Sequence, residues 1–414
     1  MPTDTPPLPS LVRLAVLAAF AALSQPASAQ TDDTTPFYAG GSLGVAHVSN
    51  IYRDASKIND DTVVSAGVLA GIDQRLGRQH LALDGSLQNN RYSTNSDLNY
   101  RSHSLRGALN WQTIRNLSGV LSAKSDRSMA DFNIGSDVKQ VFEKNIETNS
   151  EYQAIARLGV ATRYTLEGGW TQQKRNFTAW QYDRLTYRQN ISSLGIYATP
   201  AGNVRLGLVG RRTSGQNPRY PDGRGLVVVD GEARPTTSPN DYTRDDIDFT
   251  TQWTVGGHST LNTRISRSKK RNSLDLVRDF NATTGAINWN WQPTGKLQIE
   301  ARYARDTGQE STVRASDLDR VFSSWQLGSS YALTGKLSLS ARASTNRSRY
   351  SSDANATANN AFDDAKAYNF SLRWAFSRGL SLSCQYDHIK RGNSVPDYAY
   401  TTSSYGCTGQ AILY

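Results

Sequence analysis

Arginine is the side chain in this sequence with the most chemistry to offer, and its spacing follows a period of two. In segment after segment a polar parity alternates with an apolar one. Arginine stands on the polar parity at Arg106, Arg157, Arg175, Arg188 and Arg205, and again at Arg264, Arg302, Arg342 and Arg373. Lys124 and Arg211 share it. A guanidinium presents a planar fork that matches a carboxylate, a phosphate or a sulfate. Asp84, Glu167, Asp246, Asp248, Glu300 and Asp387 occupy the same faces, so a given arginine can equally brace the wall against a neighbouring acid. The chain carries a formal net charge of +10. An aqueous channel lined in this way favours anions, most strongly at low salt.

Other chemistry finds little to work with. The 5 histidines, His47, His80, His103, His258 and His388, stand outside any HExxH or His/Cys spacing, so no metal site is expected. Gly40-Gly41 and Gly168-Gly169 lack the lysine and the strand-to-helix context of a phosphate loop, and no nucleophile elbow at a strand-to-helix turn occurs. The expectation is therefore no catalytic residue, no cofactor and no enzyme. A basic chain also suggests nucleic acid, but the charge is scattered and the N-terminus reads as an export signal.

The elements that must hold these arginines are β-strands. In the stretch 286–303, Ile287, Trp289 and Trp291 alternate with polar residues, then Pro293-Thr294-Gly295 turns the chain, then Leu297, Ile299, Ala301 and Tyr303 alternate again. That is a hairpin with one apolar and one wet face. Such segments, each about ten to sixteen residues long, recur along the chain. Short connections near 77, 115, 201, 257, 294, 335 and 378 alternate with long polar ones at 51–60, 130–145, 217–243, 310–318 and 350–363. A soluble sandwich has no reason to sort its loops this way; an outer-membrane barrel has tight periplasmic turns and long outer loops. Hydrophobic residues make up only 37% of the chain, against 32 Gly, 20 Tyr and 8 Trp. No apolar run is long enough for a spanning helix. The fold class is all-β, an antiparallel transmembrane outer-membrane β-barrel of about 18 strands, with about 16 possible because 130–160 is irregular.

At the N-terminus Arg13 precedes the apolar run Leu14–Leu23 and the small-x-small site Ala27-Ser28-Ala29. Residues 1–29 read as a cleaved signal peptide and 30–414 as the barrel. The terminal aromatic Tyr414 suits recognition by the barrel-assembly machinery, and outer-membrane lipid is the surrounding solvent. Cys384 and Cys407 fall in the last two expected strands, nearly equidistant from their connection, so antiparallel pairing brings them within bridging range. Parity leaves a question. If Ile412 and Tyr414 face lipid, Cys407 points inward; a bulge, or Ala411 and Leu413 facing out, would place it beside Cys384.

One stretch resembles a known family. Arg278-Asp279-Phe280, Thr284-Gly285, Trp289-x-Trp291-Gln292-Pro293-Thr294-Gly295-Lys296-Leu297 and Arg305-Asp306-Thr307-Gly308 are similar to EpsL-type outer-membrane barrels associated with exopolysaccharide biosynthesis and export. Asp241-Tyr242-x-Arg244-Asp245 and Leu166-Glu167-Gly168-Gly169 fit the same pattern. The resemblance implies an outer-membrane conduit for a secreted polysaccharide, with a periplasmic export protein as a further partner. Folding the hairpin at Thr294 then brings Arg278-Asp279 and Arg305-Asp306 together at the mouth, to brace it or to meet sugar hydroxyls. Trp180, Tyr182 and Tyr220, in the outer loops, are candidate stacking surfaces. The alternative is a general or anion-selective nutrient porin, in which the 217–243 loop could fold inward as a constriction.

Overall fold

The computed structural model describes residues 36–114, 116–134, 140–159, 162–307, 321–350 and 361–414. The expected signal peptide lies outside the described residues. The strands are β1 (Phe37–Val48), β2 (Asp61–Leu76), β3 (Gln79–Tyr92), β4 (Tyr100–Gln112), β5 (Leu117–Met129) and β6 (Ile146–Leu158). Next come β7 (Tyr164–Phe177), β8 (Tyr187–Ala201), β9 (Val204–Val229), β10 (Glu232–Val255), β11 (Ser259–Asn272) and β12 (Phe280–Thr294). The last third holds β13 (Leu297–Thr307), β14 (Val321–Ala332), β15 (Leu337–Tyr350), β16 (Ala361–Ala375), β17 (Leu380–Asn393) and β18 (Tyr400–Leu413). Each pairs antiparallel with the next. β1 also pairs with β18, so an 18-stranded sheet closes on itself and leaves no edge. That closure satisfies the backbone in hydrocarbon, where no water is available to do so.

Alternation along each strand sorts the two faces. Leu43, Val68, Leu87, Leu121, Leu194 and Ile265 turn outward and are each roughly half exposed or more, as do Phe249, Trp253, Tyr368, Phe370 and Trp374. Their neighbours on the other parity face the lumen and are polar. This outward apolar band, on a closed barrel, makes the chain an outer-membrane protein.

The inner turns share a local device. Thr294 Oγ1 accepts hydrogen bonds from the backbone N–H of Lys296 (3.3 Å) and Leu297 (3.1 Å). Thr334 Oγ1 does the same for Lys336 (3.2 Å) and Leu337 (3.0 Å). Gly256 and Gly257 turn β10 into β11 with φ of 57° and 72°, a region open chiefly to glycine. On the outer side the connections are held by side chains. Asp61, for example, accepts the N–H groups of Ser93, Thr94 and Asn95, which ties the β3–β4 connection to the start of β2.

One detail differs from the sequence reading, and one question it leaves open is answered. The 217–243 segment is not a loop, because β9 and β10 continue as a paired hairpin to a two-residue turn at Asp230-Gly231. Alternation there is weakened by Pro221 and Pro235, where register shifts occur, which hides the strands. The second concerns the cysteines. Cys384 and Cys407 are direct partners in the β17–β18 register and form a disulfide with a Cα–Cα distance of 4.0 Å. Leu413 is exposed, so the last strand turns Ala411 and Leu413, not Ile412, outward, and the bridge lies on the lipid-facing side.

Parity makes a sharp test. Phe370→Arg, near mid-membrane on the outer face, is expected to destabilise the barrel by about 2–4 kcal/mol. Ser371→Arg, its lumen-facing neighbour, is expected to cost less than about 1 kcal/mol. Urea unfolding in lipid vesicles reads both, and equal costs would contradict the assigned faces.

Candidate functional site: the lumen and its outer mouth

The outer mouth is crossed by the connection between β5 and β6. Ala130, Phe132, Asn133, Val141 and Asn145 are all within 1% of complete burial. Arg53, in the β1–β2 connection, pairs with Asp131 at 2.8 Å. Burial opposes the Arg53 charge, but the Asp131 carboxylate outweighs it and raises the pKa above that of free arginine. Asn133 Nδ2 donates to the Arg53 carbonyl (2.9 Å) and Gln140 Nε2 to that of Tyr52 (3.1 Å). Tyr52 packs against Phe132 and Phe142 with ring centroids 5.1 and 5.7 Å away.

Two further contacts fix how far this segment reaches. Tyr182, in the β7–β8 connection, donates its hydroxyl to the Asp131 carbonyl. Arg391, on β17, donates to the Ile134 carbonyl at 2.7 Å and is itself held by Asp363. β8 and β17 lie on opposite sides of the ring, with eight strands between them either way. Residues 131–134 therefore link side chains that reach in from opposite walls of the mouth. The constricting segment is this one and not 217–243.

Below it, the wall from β9 to β13 is a locked charge network. Arg244, 1% exposed, contacts Asp246 through Nη2 (2.8 Å) and Nε (2.9 Å) and donates to Ser268 Oγ (3.0 Å). Arg211 lies 3.3 Å from the other Asp246 oxygen and 3.5 Å from Asp248. Arg264 bonds Asp306 and Ser266. Breaking such a network at one member leaves a buried charge without its partner. On the other flank, Tyr242 donates to Gln189, Gln189 to Gln173 and Gln173 to Glu151, a chain across four strands at one level. The Tyr242 ring lies over Gly215, where any Cβ would come within 2.4 Å of it.

Four arginines stand apart from these networks. Among the described residues, Arg106, Arg302, Arg342 and Arg373 face the lumen and have no ion-pair partner, and Nε of Arg302 and of Arg342 has no acceptor. Arg106, on β4, and Arg302, on β13, are diametrically opposite in the ring and near the midpoints of their strands. Arg342 sits over Gly328, with Nε 3.8 Å from where a Cβ would be, so the space beside it stays free. Glu300, on the same face one step below Arg302, partly balances it.

The remaining sequence candidates divide. Arg157 pairs with Glu167 (2.6 Å), Arg175 with Glu147 (2.9 Å), and Arg205 lies 4.0 Å over the Tyr197 ring. These face the lumen as bracing. Arg188 does not face it: Leu194 and Ile196 set the outward parity of β8, so Arg188 is exposed outside and donates to Gln216 (2.7 Å). The expected Arg278-Asp279 and Arg305-Asp306 cluster does not form. Arg278 pairs with Asp275 (2.9 Å), and Asp279 accepts the Asn272 N–H (2.7 Å). Arg305 faces outward opposite Gly285, while Asp306, one residue on, faces inward to Arg264. Adjacent residues on a strand point to opposite faces, so an Arg-Asp dipeptide cannot act as one unit. Trp180, Tyr182 and Tyr220 are also bound to protein: Trp180 Nε1 donates to Glu232 and Tyr220 to Asp275.

No protein-family model and no curated protein matches the chain. Among solved structures it is similar to the Pseudomonas aeruginosa outer membrane protein OpdK, at 12% identity and a TM-score of 0.46, over 91% of this chain and 98% of that one. OpdK with vanillate gives 10% identity and 0.48 over 91% and 99%, and OccK2 (OpdF) in complex with glucuronate gives 12% and 0.47 over 91% and 98%. These findings overturn the kinship with EpsL-type barrels and the export of exopolysaccharide; the polysaccharide and periplasmic export partners go with it. The matching residues have local reasons to be there. The Thr-Gly-Lys of 294–296 recurs at 334–336 with the same hydrogen bonds, so it is turn chemistry common to hairpins.

The locked wall gives a stability contrast. Asp246→Ala is expected to cost about 3–5 kcal/mol because Arg244 and Arg211 lose a buried counter-charge. Arg106→Ala is expected to cost less than about 1 kcal/mol. Equal effects in denaturant unfolding would show that the two arginine classes are not distinct.

Proposed function

We propose that this barrel is a diffusion channel of the outer membrane for small anionic solutes, which pass a constricted mouth and then meet free guanidinium groups at mid-lumen. The observation that carries the reading is the pair Arg106 and Arg302, on opposite walls, with Arg342 near the second. A partnered arginine is already neutralised by its acid. An arginine with unused N–H donors can take a carboxylate or phosphate for a moment and release it. Passage needs binding of this kind, favourable enough to enter and weak enough to leave. The narrowed mouth favours small solutes over polymers.

Reversal potentials across planar bilayers holding the refolded barrel test this. Anion preference at low salt is expected, and Arg106→Gln, Arg302→Gln and Arg342→Gln together should bring the anion-to-cation permeability ratio close to one. Liposomes carrying the barrel should swell faster in a small carboxylate than in a neutral sugar of equal size. Cation preference, or selectivity unmoved by the triple substitution, would sink the reading.

A further inference from the structure

The +10 net charge does not reside in the lumen. Lumen-facing arginines are largely matched by lumen-facing acids. Apart from the four unpaired lumen arginines, the unmatched strand cations are on the other side of the wall. On a tilted strand about ten residues cross the apolar band. Counting from the inner turns, that distance ends close to Arg101, Arg127, Lys174, Arg212, Arg305 and Lys390. All six are exposed and all share the outward parity of the apolar residues beneath them. Within the strands, among the described residues, the inner border of the same face carries Trp111, Trp253, Trp291 and Trp374 and no Lys or Arg.

The tier is densest on β11 to β13. Arg267, Lys269 and Arg271 project outward in succession from β11, and Arg305 does so two strands away. Between them β12 offers Thr283 and Gly285. Arg267 Nη1 lies 3.4 Å from Thr283 Oγ1, and a Cβ at Gly285 would stand 2.7 Å from the Arg264 carbonyl oxygen, so this strip stays shallow. Ile265 and its register partner Phe249 lie directly below, and Ile247 lies beside Arg267, all exposed. Asp245 stands between Arg212 (3.8 Å) and Lys269, and Asp241 and Asp279 lie at the upper edge of the tier near Arg271. A basic shelf above an apolar strip fits a molecule with phosphates at one end and acyl chains at the other.

We propose that this face binds the phosphorylated glycolipid of the outer leaflet. Its phosphates would lie across Arg267, Lys269, Arg271 and Arg305, and its acyl chains on Ile265 and Phe249. Charge complementarity selects this occupant. A bisphosphorylated headgroup spans several cations at once, as a singly charged phospholipid does not, and within the described strands only the outer border of this face carries them.

The test uses the full-length refolded barrel in non-ionic detergent, with bisphosphorylated lipid A, its dephosphorylated form and phosphatidylglycerol as probes. Native mass spectrometry reads retention and planar-bilayer conductance reads an intact channel. Bisphosphorylated lipid A alone should be retained. Each cation near a membrane surface is worth about fivefold in affinity. Arg267→Gln with Lys269→Gln should therefore weaken retention by about twentyfold or more with conductance unchanged. Asp245→Asn, which removes no cation, should tighten it, so the idea stays testable if the double variant misfolds. Equal retention of the dephosphorylated form or of phosphatidylglycerol would overturn the proposal, as would indifference of folded variants to these substitutions.

Discussion

The pairing of β1 with β18 is the constraint on which everything else rests. A sheet in hydrocarbon cannot keep an edge, since each unpaired backbone group there costs several kcal/mol. Closing the ring removes the edge and fixes the parity of every strand at once. One set of side chains must then meet lipid and the other must meet water. The disulfide between Cys384 and Cys407 ties β17 to β18 next to that closing seam.

Once parity is fixed, the lumen has two kinds of arginine. Those such as Arg244 and Arg211 are consumed by Asp246 and Asp248 and stiffen the wall. Those such as Arg106 and Arg302 keep donors free. The same alternation carries a third population outward, to the level where lipid headgroups lie. Counting basic residues along the chain merges the three populations. Only their faces and partners separate them.

The barrel itself was legible because its signals are local and periodic. Alternation placed the strands of an eighteen-stranded barrel, and the sorting of short and long connections separated its two ends. Face assignments failed where the apolar parity was thin. At Arg188 the outer third of β8 sets Tyr187 and Ile191 on the lumen parity, and only Leu194 and Ile196 farther along decide the matter. The Arg278 and Arg305 cluster failed because proximity along a hairpin was read without regard to parity. The mouth was illegible for a deeper reason. Length marked 217–243 as the inward loop, yet it stays a strand pair, while 131–134 reaches β17 through Arg391, which is 257 positions away in sequence. Nothing local encodes such a contact.

The central claim is that the β5–β6 connection narrows the channel above free arginines. Single-channel conductance of a variant with that connection cut to a short Gly-Ser turn tests it most directly. A severalfold rise in conductance with anion preference retained is the predicted result, since the obstruction goes and Arg106 and Arg302 stay. Unchanged conductance would mean that the segment does not set the width of the pathway, and the account of the mouth would fall.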